Sequence, residues 1–341
     1  MGMTYRDAGV DIDAGNEAVR QMKAAVEATH GPEVLGGVGS FGGLFAADAL
    51  LRMQAPVLVA STDGVGTKTR LAAQLDRYDT LGEDLVNHCI NDVLVQGARP
   101  LFFLDYVAAS RLDPTRIATV VAGCARACSR AGMALLGGET AEMPGVYVDG
   151  ELDLAGTLVG VVERAAIING RRIEVGDAVI GLASSGLHTN GYSLARHIIA
   201  GLDLRAGHGL DRPLGEALLV PHRSYLTEIT DLLSVGTDIR GLCHITGGGL
   251  IENPPRILPE TTTLVLDPSA WPLPPLFALL QARGQVADFE MRRTFNVGLG
   301  MLIVLPAHQA SAALARLQAT CPAWRVGHIE ARGDRSPVVF A

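Results

Sequence analysis

Pro56-Val57-Leu58-Val59-Ala60-Ser61-Thr62-Asp63-Gly64-Val65-Gly66-Thr67-Lys68 decides how this chain is read. Its first five residues are apolar and read as a buried strand. An aspartate, two glycines and a lysine then emerge together at the strand end. In an α/β protein that is where backbone amides and charge are presented to a phosphate or a metal. The spacing is not that of a Walker A loop, and Gly64-Val65-Gly66 lacks the third glycine of a dinucleotide fingerprint. An ordinary strand-to-loop turn, with Asp63 bonding its own backbone, is the competing reading.

A chain of 341 residues, 48% of them hydrophobic, is long enough for two domains with sizeable cores. No run approaches the roughly 20 apolar residues of a membrane span. Residues 1–20 carry Asp7, Asp11 and Asp13 and no apolar core, unlike a secretory signal. Cys89, Cys124, Cys128, Cys243 and Cys321 form no CxxC pair and read as small apolar residues of a reducing compartment. A cytoplasmic protein is therefore expected. The net charge is −8, and the basic clusters Arg171-Arg172 and Arg292-Arg293 are short. Both facts argue against a nucleic-acid partner.

The periodicity suggests α/β layers. A helix is expected over 16–30, with Val19, Met22 and Val26 on one face and Gly31-Pro32 ending it. Gly36-Gly37-Val38-Gly39-Ser40-Phe41-Gly42-Gly43 reads either as a loop able to fold over a ligand or as a plain connector. Thr80-Leu81-Gly82-Glu83 reads as a capping box opening a helix that runs to about Gln96. On that helix Asp84, His88, Asn91 and Asp92 share a narrow polar stripe, which is either a solvated face or the wall of a wet cleft. Further strands are expected at 101–106, 133–136 and 152–162, and a helix capped by Asp113 with Pro114 at its first position. A boundary near Ile168-Asn169-Gly170-Arg171 divides the chain into domains 1–168 and 169–341. Beyond it, a strand at 178–183 leads into Ser184-Ser185-Gly186-Leu187-His188-Thr189-Asn190-Gly191. Leu242-Cys243-His244-Ile245-Thr246-Gly247-Gly248-Gly249 repeats the pattern. Both are glycine-rich loops before helices, where amides and dipole favour anions.

Asp63, Asp105 and Glu139 each lie at or just after an apolar strand, and Asp92 lies on a helix. Four carboxylates in one cleft repel each other unless a cation neutralises them. Hard oxygen ligands suit Mg²⁺, which normally arrives with nucleotide phosphates. The alternative is that the carboxylates never meet and merely cap helices or close turns. His188 and His244 divide evenly between structural and functional roles, as does the polar cluster Arg292, Arg293, Thr294 and Asn296.

Taken together, these motifs resemble those of the phosphoribosylformylglycinamidine cyclo-ligase (aminoimidazole ribonucleotide synthetase) family. The resemblance covers nearly the whole chain. It starts at Tyr5-Arg6-Asp7-Ala8-Gly9-Val10-Asp11-Ile12-Asp13-Ala14-Gly15-Asn16 and takes in Thr62 to Lys68, Asn91-Asp92 and Phe102 to Tyr106. It continues with Gly137-Gly138-Glu139-Thr140-Ala141-Glu142-Met143-Pro144-Gly145, Ser184 to Ser193, His244 to Gly249 and Arg293 to Met301. Individual pieces are shared with other ATP-using relatives, including selenophosphate synthetase and thiamine-phosphate kinase. A nucleotide-sensing dimer without chemistry is a further alternative. The departures are small: Ser61 where glycine is usual, Leu187 for proline, Thr189 for serine, and Val297 where cysteine often stands.

The resemblance implies an α+β fold of two α/β domains. The N-terminal mixed sheet would pair with a second subunit into a barrel, and the C-terminal domain would be an α/β sandwich. It implies a homodimer using ATP and Mg²⁺ to close the ring of phosphoribosylformylglycinamidine. By the same resemblance Asp63, Asp92 and Glu139, with Asp105 as a weaker fourth, hold Mg²⁺ with ATP. Lys68 contacts phosphate. Lys23, Gly37, Gly39, Gly42, Gly64, Asn91 and Gly138 line the nucleotide. Asp63, Lys68 and His188 form the catalytic set, with His188 shuttling a proton. His188 and Asn190 contact the substrate, and Thr246, Gly247 and Gly248 take an anion such as the ribose 5-phosphate.

Overall fold

The computed structural model describes residues 3–341. The chain forms two compact units. The first runs to Ala166 without Leu94–Gly97, and the second comprises Leu94–Gly97 and Ile167–Ala341.

The first unit is built on a four-stranded mixed sheet of β1 (Pro56–Gly64), β2 (Arg99–Ala109), β3 (Ala134–Glu142) and β4 (Leu152–Glu163), in the order β1-β4-β2-β3. β4 runs antiparallel to both neighbours, and β2 and β3 are parallel. Four helices accompany it: α1 (Ile12–Glu27), α2 (Lys68–Leu75), α3 (Leu81–Leu94) and α4 (Pro114–Ala131). α1 starts earlier than the expected 16–30, because Asp11 accepts from the Asp13 and Ala14 amides and so caps it. α4 starts as expected, with Asp113 capping, Pro114 first and Gly132 ending it at φ 64°. α3 starts where expected, but the capping box is not made. The Thr80 hydroxyl is buried without a hydrogen-bond partner, and Glu83 instead pairs with Arg126 and Arg130. Gly82 lets α3 cross α4 closely, since a Cβ there would lie 2.1 Å from the Val120 carbonyl oxygen.

The expectation of a buried first strand is corrected. β1 alternates, with Pro56, Leu58, Ala60 and Thr62 exposed and the residues between them half-buried. The reason is that the helices cover one face of this sheet. α3 lies on the Gly156 side of β4, where a Cβ on Gly156 would meet Leu85 and Phe103. The other face carries Leu58, which is 60% exposed, and Leu104, which is 36% exposed.

The second unit holds a six-stranded sheet of β5 (Ala178–Ala183), β6 (Gly241–His244), β7 (Thr262–Leu266), β8 (Leu299–Leu305), β9 (Ala323–Ala331) and β10 (Val338–Phe340). Their order is β10-β7-β9-β5-β8-β6, antiparallel except for β10 beside β7. β8 is buried along its whole length and β5 along all but its last residue, as befits strands inside a sheet covered on both faces. Ile180, Leu182, Ile303 and Leu305 pack with Ile229 and Leu232 of the helix Leu226–Ser234. β5 leads through residues 184–191 into α5 (Tyr192–Ile198). The helix expected after Thr246 is one turn only, Gly249–Glu252, because Pro254 and Pro255 follow.

Candidate functional site

In the first unit, register puts Asp63 opposite Gly156, Gly156 opposite Asp105, and Asp105 opposite Gly138. Residues in register share a face, so both aspartates point to the α3 side. Gly138 is required there, since a Cβ would sit 2.3 Å from Asp105 Oδ1. Glu139 is opposite Tyr106, one residue on, and therefore lies on the other face. Its carboxylate accepts from the Thr140 amide at 2.9 Å. The four-carboxylate cluster expected from the sequence is thus not assembled from one face.

Asp63 and Asp92 do come together, through α3. His88 Nε2 lies 2.9 Å from Asp63 Oδ2 and 3.8 Å from Asp92 Oδ2. Ser61 Oγ donates to Asp92 Oδ2 at 3.1 Å. Burial lowers the His88 pKa, but the Asp63 hydrogen bond and the charges of Asp63, Asp92 and Asp84 outweigh that and raise it overall. Asp105, a strand away, is 8% exposed, and burial pushes its carboxyl up to about 7.

The polar stripe of α3 is not a solvated face. Asp84 and Asn91 are fully buried and His88 is 3% exposed. Asp84 accepts from Lys68 Nζ at 2.8 Å, and neither side chain reaches solvent. In this structure the Lys68 ammonium is therefore turned toward Asp84. Lys68 is the first residue of α2, and that helix directs it inward onto α3. Desolvation lowers the Lys68 pKa, and the Asp84 charge opposes this. Gly64 donates its amide to Asp63 Oδ1 at 2.7 Å, so the competing turn reading of Asp63 also holds. Lys23 is half-exposed on α1, 3.7 Å from Glu27. Gly37, Gly39 and Gly42 lie in an exposed loop closed by the Leu35 amide on the Leu44 carbonyl. Glu142, of the Gly-Gly-Glu-Thr-Ala-Glu motif, accepts from the Asp11 and Leu112 amides and ties the N-terminal segment to the end of β2.

In the second unit the two glycine-rich loops meet. A Cβ on Gly247 would lie 3.4 Å from Asn190 Oδ1. The Asn190 side-chain NH₂ is buried with no hydrogen-bond partner. Buried amides are normally satisfied, so this unmet donor makes the loop junction a candidate ligand site. Asn253 accepts from Thr246 Oγ1 at 3.1 Å and donates to the Thr246, Gly247 and Gly249 carbonyls, which fixes the second loop. Asn296 fixes the first, accepting from Ser184 Oγ and donating to the Gly186 carbonyl, both at 2.9 Å.

His188 takes φ 62° and is 1% exposed. The Ser185 amide donates to its Nε2 at 3.1 Å. Its ring stacks on His222 at 4.0 Å, and His222 Nε2 lies 3.0 Å from His244 Nε2. The sequence reading picked out His188 and His244 but missed His222. Pro221-His222-Arg223 carries no glycine and no motif, so no local signal marks it.

Two family models cover most of the chain. "AIR synthase related protein, N-terminal domain" matches residues 46–162, and the corresponding C-terminal domain matches 174–339. A phosphoribosylformylglycinamidine cyclo-ligase of Magnetococcus marinus is 55% identical over 93% of this chain and 90% of its own length. One from Cupriavidus pinatubonensis is 52% identical over 98% and 95%. Among solved structures, the hydrogenase maturation protein HypE in complex with ATP aligns with TM-score 0.69 at 21% identity, over 96% of this chain and 90% of that one. Thiamine-monophosphate kinase from Stenotrophomonas maltophilia aligns with TM-score 0.68 at 17% identity, over 95% of each. The structural matches establish the two-domain fold.

Proposed function

Since the chain belongs to the AIR synthase family, we propose that it closes the imidazole ring of phosphoribosylformylglycinamidine, consuming ATP and yielding 5-aminoimidazole ribonucleotide. The observation that carries this reading is identity of 52–55% over almost the full length of relatives bearing that one activity. No helix among the described residues is long and apolar enough to cross a membrane.

The chemical difficulty is a formamide oxygen that leaves poorly. In the first step that oxygen attacks the γ-phosphorus of ATP, an O–P bond forms and ADP departs. The amidine nitrogen of the same substrate then attacks the formyl carbon. A C–N bond forms, the C–O bond breaks, phosphate leaves and the nitrogen loses a proton. The second step is intramolecular, so the protein's task is to hold one rotamer and exclude water.

The first unit carries the nucleotide in this reading. Asp63 and Asp92 offer hard oxygens close enough to share one imidazole, and such a pair suits Mg²⁺. When bound, Mg²⁺ neutralises phosphate charge during phosphoryl transfer. Asp105, 8% exposed and with β4 between its strand and that of Asp63, is the weaker ligand, and Glu139 lies on the other face of the sheet. The second unit carries the substrate. The unpartnered Asn190 amide donates to it, Thr246, Gly247 and Gly248 receive its anionic group, and His188 stands ready to take a proton.

A second copy of the chain is proposed to cover the open face of the first sheet, where Leu58 and Leu104 are exposed. Large apolar side chains left exposed on one sheet face are a reason to expect a partner there.

The deciding experiment mixes purified protein, Mg²⁺, ATP and phosphoribosylformylglycinamidine. Substrate-dependent phosphate release with matching aminoimidazole ribonucleotide supports the reading. ATP binding without ring product sinks it.

A further inference from the structure

We propose that His188, His222 and His244 form a site for one divalent transition-metal ion of the zinc class. Each offers a ring nitrogen, and these nitrogens lie within 4.8 Å of one another. All three rings are buried, with His188 and His222 at 1% exposure and His244 at 6%. An all-imidazole donor set selects zinc, cobalt, nickel or copper, and rejects Mg²⁺, which takes oxygen.

The spacing fits. Two nitrogens bound to one ion at 2.0–2.1 Å, with angles between square and tetrahedral, stand about 2.8–3.4 Å apart. His222 Nε2 and His244 Nε2 stand 3.0 Å apart. The far side of His222 is already supported, with Nδ1 lying 3.3 Å from Thr189 Oγ1. Metal-binding histidines usually have such a partner, and a Thr189 hydroxyl accepting from Nδ1–H would turn the Nε2 lone pair to the ion. The proton now shared between His222 and His244 moves to an Nδ1, so both rings bind as neutral imidazoles. His188 is the ligand that must give something up. Its Nε2 accepts from the Ser185 amide, and taking the ion costs that bond or the Nδ1 proton.

This cost has a consequence, which rests on the ring-closing function proposed above. A histidine engaged by zinc is withdrawn from the substrate. Zinc then inhibits ring closure through this cluster, while a chelator selective for zinc over Mg²⁺ restores activity.

The test is a titration of the intact protein with Co²⁺, read by visible d–d absorption after equilibration, so it is independent of catalysis. One Co²⁺ per chain with absorption of tetrahedral or five-coordinate intensity is expected. His222→Ala should abolish it. Thr189→Val, which leaves every ligand in place, should weaken it about 10–100-fold. His308→Ala, at an exposed histidine outside the cluster, should leave it unchanged. Circular dichroism establishes that each variant is folded, and if His222→Ala is not, Thr189→Val decides. Absence of saturable absorption, or equal binding by wild type and the folded cluster variants, overturns the site. A cobalt site without zinc inhibition leaves the site standing and removes its link to His188 chemistry. Failure of ring closure by zinc-free wild type supplied with Mg²⁺ and ATP counts against the proposed function alone.

Discussion

Lys68→Met should destabilise the first unit by about 3–4 kcal/mol at pH 7. Lys68 and Asp84 are 2.8 Å apart with no exposure on either side chain. At an effective dielectric constant of about 20, Coulomb attraction at that distance is roughly 6 kcal/mol, and most of it offsets the desolvation of the two ions. Methionine replaces the lysine stem with little change of volume, so the substitution removes charge rather than packing. Asp84 is then left in the interior without its ammonium. It escapes by taking up a proton, which for a carboxyl ionising near 3.9 costs about 4 kcal/mol at pH 7. That sets the ceiling. A carboxyl kept neutral in the folded variant and ionised when unfolded contributes stability that is lost as pH rises. The deficit against wild type therefore grows with pH and shrinks to about 1.5 kcal/mol at pH 5. Urea unfolding followed by circular dichroism at the two pH values measures it. Lys68→Met/Asp84→Leu should recover most of the loss, because an apolar pair can replace a buried ion pair. An unchanged unfolding midpoint in Lys68→Met, with a raised KM for ATP, would refute this reasoning and return Lys68 to the phosphate.

Asp63→Asn removes the carboxylate that His88 holds and should reduce turnover by about 10²-fold or more, with a smaller loss of melting temperature from the broken His88 pair; phosphate release and a thermal melt check both. Arg240→Met should destabilise the second unit by about 3 kcal/mol, because Asp177, 3% exposed, loses the guanidinium 2.8 Å away; the urea midpoint reads it. Gly300→Ala should cost about 1–3 kcal/mol and lower kcat, since the new Cβ would fall 1.9 Å from the Tyr225 hydroxyl and 2.6 Å from His188 Cε1; paired stability and rate measurements test it. Leu58→Glu with Leu104→Glu should convert the proposed dimer to monomer in sedimentation, and a wild-type monomer at micromolar concentration would dispose of that interface.

The parts of the fold that were legible in the sequence are those set by local chemistry. Asp113-Pro114 fixed a helix start because a carboxylate oxygen and a ring-locked φ act within three residues. The strand from Ala178 to Ala183 was readable because a continuous apolar run between turn signals has few alternatives. Thr80 shows where that logic ends. Its capping partner Glu83 was in the right place, yet two arginines of α4 took the carboxylate, and nothing within reach of Thr80 in sequence announces them.

The site was legible as residue types and illegible as orientation. Asp63, Asp105 and Glu139 look alike in sequence because each follows an apolar strand. What separates them is sheet register, and one residue of register exchanges the faces. Asp105 is opposite Gly138, so Glu139 must point the other way, and no spacing within either segment contains that fact. Lys68 is the same lesson on a helix. It follows the glycine turn where a phosphate would sit, but α2 begins at Lys68 itself, and its first residue is directed at the Asp84 side of α3. The polar stripe of α3 was visible as a stripe. That it serves as an interior set of partners, taking charges and a hydroxyl from α2 and β1, follows only from which strands and helices are brought to it. Lys68 of α2, Asp63 of β1 and Ser61 of β1 all reach that stripe, and together they make the nucleotide half of the proposed site part of the unit's own core. Substitutions along α3 are therefore expected to lower stability and turnover together, whereas substitutions at Asn190, whose amide has no protein partner to lose, should lower turnover alone.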